Sequence, residues 1–549
     1  MRAGLATLAL CLLTACPADA AAAPDEVRGT WLTTTGPNHI RTGNVAEASM
    51  AAVKGVGLNT VYVETWKNGY TNYPSQTLAA TTQGVDRSPF LGFNRDLVEE
   101  TLIQAHRNGL NYIGWWEYGF SSQFVGNGGD PNNPLSLFMR NRGWLLRDQN
   151  QQFTNASNGF AWMNPAVPQV RQFLIDLTLE AVNNYDLDGI QFDDRLAWPR
   201  EFGWDPLTQS LYQNQTGNPA PTSVSDPAFA QWRQDQVTLF ATELYQAVKA
   251  ARPDLHVSVS PSITGFSQSN FNADWPEWQQ QGLFDEFVPQ AYRSSFSAFD
   301  SIIDAQIDPF EPNDLDQVVV GLRSNGTGAN TPVSDLQQMI VESRSQGAAG
   351  HSIFYSKAVI DDYPTQLTSF YDVAGQGPAA NPNFGAGHRP LPEVASNVGG
   401  DDWQVSVSDP GHYRIVARTG TYWEELGRTA LTAGSFVLDV PGALEVELLV
   451  DRRPVGDPTA DFDGDGDVDE NDLITWQTNA GSFEGGGAYL THGDGDRDGD
   501  VDLADLLLLQ RSYSGALPAT ISVPEPSAAW LAFASLAAGL RRRASSTAS

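Results

Sequence analysis

Eight short β-rich runs, each followed by a stretch of helical periodicity, constrain the fold of this chain more than any other feature. They are "VRGTWLTT" from Val27, "NTVYVET" from Asn59, "NYIGWWE" from Asn111, "DGIQFDD" from Asp188, "HVSVSPS" from His256, "EFVPQAYR" from Glu286, "VVVGLRS" from Val318 and "HSIFYS" from His351. Between them, "RDLVEETLIQAHRNGL" places Leu97, Val98, Leu102 and Ala105 on one helical face and ends in Gly109, a residue suited to a C-cap. "PQVRQFLIDLTLEAV" repeats the pattern with Val170, Phe173, Leu174, Leu177 and Val182. Strand–helix alternation repeated eight times predicts an α/β protein with a (β/α)8 barrel over residues 24–374. A doubly wound open sheet would want a Gly-rich phosphate turn after its first strand, and none follows here.

In such barrels the chemistry lies where strands run into their βα loops. Alternate strand residues face opposite sides, so Ile190 and Phe192 belong against the helices while Gln191 and Asp193 face the lumen near its mouth. Asp194 and Arg195 begin the loop. Asp188 sits at the far end, where capping the preceding turn is expected. The same parity turns Tyr62, Glu64 and Trp66 inward. Glu117 is flanked by Trp115, Trp116 and Tyr118, and an acid among rings tends to keep its proton. Later strands contribute Ser258, Ser260, Gln290, Tyr292 and Tyr355, with Lys357 just beyond. The candidate catalytic residues are therefore Asp193, Glu117, Asp194 and Glu64, with Glu201 in the strand-four loop a further candidate for the proton donor. Trp66, Trp115, Trp116, Arg195, Gln290, Tyr292 and Tyr355 are candidates for substrate contact. His106 and His256 stand alone and read as structural. Neither a His/Cys metal constellation nor a Ser-His-Asp order with a nucleophile elbow is visible. Two acids at neighbouring strand ends under a Trp-rich mouth suggest glycoside hydrolysis, in which one carboxylate attacks or activates water and the other protonates the leaving oxygen. Paired acids also serve structural ion networks, so a catalytically inactive carbohydrate-binding or scaffold protein is the alternative.

The formal charge of −33 speaks against nucleic acid or an anionic membrane as partner and is compatible with calcium or a neutral sugar. The two cysteines, Cys11 and Cys16, both lie in "MRAGLATLALCLLTACPADAAAA", a secretory signal over residues 1–23 whose cleavage leaves no disulfide-forming pair. "LTAC" also resembles a lipoprotein cleavage box with Cys16 as the lipidated residue. At the other end, "VPEPSAAWLAFASLAAGLRRR", within residues 522–545, resembles a PEP-CTERM sorting signal of Gram-negative bacteria. The resemblance implies export, processing by an exosortase-type machinery and display at the cell surface or release, with membrane anchoring through this segment as an option.

The ordered series "EVRGTWLTT", "GLNTVYVETWKNGYTNYPS", "WWEYGF", "WMNPAVPQVRQFLIDLTLEAVNNYDLDGIQFDDR", "EFGWDP", "VSVSPS" and "ADWPEWQQQGLFDEFVPQAYR" resembles the glycosyl hydrolase-like family ten from about Val27 to Tyr371. The likeness implies a TIM barrel acting on extracellular or cell-envelope polysaccharide, with Asp193 in the strand-four position. The Asp188-to-Asp193 spacing is also similar to the nucleophile strand of the α-amylase clan. That clan's strand-five glutamate has no counterpart, because "HVSVSPSITG" holds no acid. Glu117 is then the preferred proton donor, ahead of Glu64 and Glu201.

Beyond the barrel, "GQGPAANPNFGAGHRPLPE" reads as a linker within residues 375–396. Residues 397–455 alternate as strands of a small β-sandwich. Two acidic loops follow, with Asp461, Asp463, Asp465, Asp467, Asp469 and Asp472 in the first and Asp494, Asp496, Asp498, Asp500, Asp502 and Asp505 in the second. Asp at positions one, three, five, nine and twelve, with Gly at six, suits Ca²⁺. Residues 457–516 resemble a type I dockerin, which implies folding on structural calcium and docking to a cohesin-like partner.

Overall fold

The computed structural model describes residues 25–92, 95–326, 328–372, 379–384, 389–453, 460, 462, 468, 470–480, 501 and 503–512. Residues 1–24 and 513–549, with the signal and sorting segments read from the sequence, lie outside them. Eight parallel strands form one sheet: β1 (Val27–Leu32), β2 (Thr60–Glu64), β3 (Asn111–Trp116), β4 (Gly189–Asp193), β5 (His256–Ser260), β6 (Glu286–Phe287), β7 (Val319–Arg323) and β8 (Gly350–Phe354). Their order is β6-β5-β4-β3-β2-β1-β8-β7. Parallel bridges Phe287–Val318 and Gln290–Gly321 join β6 to β7 and close the ring. β6 is the shortest because Pro289, with no N–H to give, interrupts its ladder. Among the described residues no helix is long and apolar enough to cross a membrane.

The helices form for the reasons the sequence offers. Asp96 caps Leu97–Arg107 by accepting the Glu99 N–H at 2.9 Å. Pro168 opens Pro168–Asn184, where a missing N–H costs nothing. Their apolar faces meet Val61, Val63, Ile190 and Phe192 in the main core. A second, inner cluster of Trp31, Tyr62, Ile113, Trp115, Val288 and Val319 fills the lumen. Gly189 is required by space: a Cβ there would stand 2.5 Å from the His256 carbonyl oxygen on β5.

Residues 379–384, within the stretch read as a linker, lie against the barrel's floor. Glu26 N–H donates to the Ala380 carbonyl at 2.8 Å, and the Asn381 amide donates to Thr60 Oγ1 at 2.7 Å. Asn383 reaches Glu286 at 3.2 Å, and Phe384 packs on His256. These Asn side chains satisfy groups left over at the strand starts. Arg389, also in that stretch, is fully buried against Asp186 and Asp188.

A seven-stranded sandwich follows: β9 (Glu393–Val394), β10 (Ser396–Gly399), β11 (Asp402–Val407), β12 (Gly411–Arg418), β13 (Trp423–Leu431), β14 (Gly434–Asp439) and β15 (Glu445–Val450). Its sheets run β9-β15-β12-β13 and β10-β11-β14 around a core that includes Trp403, Tyr413, Ile415 and Leu448. It begins a few residues before the boundary the sequence suggested. It docks on the barrel through Ile103, Val416, Trp423 and Leu449, with the Arg107 guanidinium 3.8 Å above the Trp423 ring. Two C-terminal helices, Glu470–Asn479 and Leu503–Ser512, share a small core of Phe462, Leu473, Trp476, Leu506 and Leu509.

Candidate active site

The C-terminal ends of β2, β3 and β4 bring four carboxylates and two cations together. Asp193 ends β4 and is 5% exposed. Its Oδ1 accepts the Gln290 amide at 2.5 Å and the Asp194 N–H at 2.7 Å, while its Oδ2 lies 3.3 Å from Arg195 Nη1. The same Arg195 nitrogen donates to the Glu117 carbonyl at 2.9 Å and lies 3.3 Å from Asp194 Oδ1. Because Trp116 pairs with Phe192, Glu117 follows β3 directly beside Asp193. Lys67, from the Trp66–Lys67/Tyr70–Thr71 hairpin, sits between Glu117 at 2.9 Å and Glu64 at 2.6 Å. The side chains of Glu117, Lys67, Arg195 and Asp194 are 17–21% exposed, so the cluster is reached from the mouth.

Four acids against two bases leave negative charge in excess in a poorly solvated place. Burial and the neighbouring Asp194 push the Asp193 carboxyl well above the usual carboxylate range, against the pull of Arg195. Burial also raises Glu117 over the pull of Lys67, with Glu64 adding to the rise. Glu64 goes the other way. Burial works to raise it, but Lys67 and the hydroxyls of Thr33 and Thr34 hold it below the ordinary value. Asp193 and Glu117 thus bind a proton more readily than free carboxylates do.

Several expected contacts move. Glu64 is fully buried, with its oxygens taken by Thr33, Thr34, Lys67 and Asn72. It is the anchor of Lys67, not a free acid. Trp66 does not face the lumen: its ring meets Phe173 edge-on in the outer core and its N–H donates to the Gly119 carbonyl at 3.2 Å. β2 ends at Glu64, so strand parity no longer applies two residues on. Trp116 likewise stacks on Phe192 at 5.8 Å, against the helices. Trp115 does face inward, but it is 2% exposed in the lumen cluster. Glu201 pairs with Arg200 at 3.6 Å. Arg195, Gln290 and Tyr292 do gather at Asp193. Tyr292 stacks on Phe354 at 5.3 Å, and burial with the charges of Asp193 and Asp194 raises its phenol well above normal. Tyr355 lies beside Phe354 at 5.2 Å.

Sequence reasoning missed Lys67, Thr33, Thr34 and Trp31. Trp31 donates to Gln191 at 2.8 Å, and Gln191 continues through Ser258 to Glu286 and the Tyr62 hydroxyl, a buried chain that fixes the lumen side chains. Parity would have found Trp31, which alternates with Leu32. A Ser-His-Asp row does exist in space: His39 Nδ1 meets Ser356 Oγ at 2.9 Å and its Nε2 meets Asp361 at 3.3 Å. Ser356 is 1% exposed, so the row ties the β1 and β8 loops together. Among the described residues no group of three or more His, Cys, Asp or Glu is arranged to hold a metal. Of the twelve loop aspartates, Asp472 and Asp505 fall within the described residues, and both are buried at their helices. Asp472 accepts the Phe462 N–H.

A (β/α)8 barrel with carboxylates collected at adjacent strand ends is a barrel of the glycoside hydrolase type. The model of the family described as Glycosyl hydrolase-like 10 matches residues 26–333, more than half of the chain, and the chain belongs to that family. Glycosyl hydrolase DigH of Escherichia coli K12 is 23% identical over 266 residues, covering 43% of this chain and 55% of that protein. Glycosyl hydrolase YngK of Bacillus subtilis 168 is 26% identical over 162 residues, covering 26% of this chain and 31% of that one. The chain thus spans about half, or less, of the length of these curated relatives. Among solved structures, the PgaB (BpsB) glycoside hydrolase domain from Bordetella bronchiseptica superposes with a TM-score of 0.45 at 15% identity, over 62% of this chain and 99% of that one.

Proposed function

We propose that the protein is an exported glycoside hydrolase that cleaves an extracellular or cell-envelope polysaccharide with Asp193 and Glu117 as its carboxylate pair. Family membership supports hydrolase-type function. The observation that carries the site is Asp193 at the β4 end, held by Gln290 and Arg195 and flanked by two further acids. The sequence favours Glu117 as proton donor; burial raises both carboxyls, and the assignment proposed here takes the opposite order. Asp193, next to Asp194, is the preferred seat of the proton and protonates the leaving oxygen. Glu117, paired with Lys67 at 2.9 Å, attacks or activates water once the proton sits on Asp193. Asp193→Asn is expected to lower kcat about 10²–10⁴-fold on a natural glycan and much less on an aryl glycoside with a good leaving group. Glu117→Gln is expected to impair both. Equal loss on both substrates in Asp193→Asn, with sparing in Glu117→Gln, would restore the first assignment.

One observation favours a binding-only reading: Arg195 bridges Asp193 and Asp194, and Asp193 is 5% exposed. No reducing sugar from wild type across a glycan panel, with binding intact, would decide for it. The acidic loops near the C-terminus are proposed as structural Ca²⁺ sites of a dockerin-like module with a cohesin-like partner, supported by the paired loop pattern and by the buried placement of Asp472 and Asp505.

A further inference from the structure

An aromatic path leaves the carboxylate cluster on one side of the mouth. Arg195, which contacts Asp193, lies with its guanidinium carbon 4.5 Å above the Phe160 ring. Phe160 in turn lies 4.9 Å from Phe124, and Phe124 is 53% exposed. Both belong to the antiparallel strand pair Ser121–Phe124 and Phe160–Trp162 in the loop region after β3. The platform is built in, not trailing. The Phe124 N–H donates to Asn68 Oδ1 at 2.9 Å, and Asn68 is the residue after Lys67. The Asn133 amide fixes that same turn through the Asn68 carbonyl at 2.7 Å. Gly159 leaves room for the ring, since a Cβ there would stand 2.8 Å from Phe124.

A single exposed phenylalanine needs no explanation. This one differs because it continues, contact by contact, from the reacting groups, so a chain-like ligand bound at the cluster has the ring within reach. The faces of such rings suit the C–H faces of sugars. The charge of the molecule, −33 overall with acids in excess at the mouth, repels a polyanion.

We propose that Phe124 and Phe160 form a sugar-stacking subsite that holds a ring of a neutral polysaccharide a unit or two from the bond cleaved. The substrate is therefore a chain, not a mono- or disaccharide. The assignment rests on the glycoside hydrolase reading, but its test reads binding.

Full-length Asp193→Asn protein is titrated with cello-, chito- and mannohexaose, with the matching disaccharides, and with hexagalacturonate as the anionic control. Phe124→Ala in this background is expected to weaken binding of the preferred neutral hexaose tenfold or more and to leave disaccharide binding unchanged. Tyr422→Ala, at an exposed ring on the sandwich, is expected to change neither. Unchanged hexaose affinity in Phe124→Ala, absence of binding to every neutral hexaose, or tighter binding of hexagalacturonate would each overturn the proposal. Self-association lost in Phe124→Ala with glycan binding intact would assign the ring to a second copy of the chain instead. Wild type that binds through Phe124 but cleaves none of the hexaoses would sink the catalytic reading and leave the subsite standing.

Discussion

The two ends of β4 carry acids five residues apart, Asp188 below and Asp193 above, and the barrel treats them in opposite ways. At the floor, Asp188 is met by Arg389 at 2.7 Å, His106 at 3.1 Å, Arg452 at 3.2 Å and the Tyr112 N–H at 2.8 Å. Burial works to raise its carboxyl, but Arg389 and the other donors hold it far below the usual range. His106 is pushed down to about 3 by burial and by Arg389, so it stays neutral. Asp186 is the exception there: burial and nearby Asp451 raise it despite Arg389. At the mouth, acids outnumber bases and Asp193 is raised. An oversupplied acid is a fixed joint, and an undersupplied one can move a proton.

Asp188→Asn attacks the joint. It removes one of the two acids that face the buried Arg389, an expected loss of up to about 3–5 kcal/mol in chemical denaturation. Because the folded pKa lies below the unfolded value of about 3.9, the stabilisation is complete at neutral pH and fades as pH falls through the folded value. The difference between wild type and variant should therefore shrink in acid. Lys67→Met tests the mouth next. Removing the ammonium shared by Glu64 and Glu117 raises both acids, and the acidic limb of kcat/KM is expected to move up by about one pH unit or more. An unmoved limb would separate Glu117 from the chemistry. The mildest perturbation is far from both ends: chelating calcium in the full-length protein is expected to speed proteolysis between the sandwich and the C-terminal helices and to leave the barrel's melting transition unchanged.

Much of this contrast was legible beforehand. The barrel followed from the run of eight strands, and strand parity turned Asp193 inward and Ile190 and Phe192 outward. What failed did so for physical reasons. Parity was carried past the end of β2 to Trp66, where the chain has already left the strand for a hairpin. It was not applied strictly at β3, where Trp115 and Trp116 must face opposite sides. Asp188 was expected to cap a local turn; its partners Arg389 and Arg452 come from far along the chain, and local pattern carries no trace of them. Lys67 was hidden in the same way, as one base in a loop that folding alone sets between two strand ends.

At the centre of the mouth, Asp193 is an acid short of positive charge. Its folded pKa is raised above the unfolded value, so its contribution to stability is greatest in acid and is lost as pH rises through the folded value. The direct measurement is the melting temperature of wild type and Asp193→Asn from pH 4 to pH 8. The asparagine variant is expected to gain on wild type as pH rises, by about 2–4 °C for each kcal/mol relieved. A difference that is flat, or that favours wild type more at high pH, would show Asp193 to be as well paired as Asp188 and would contradict that shortage.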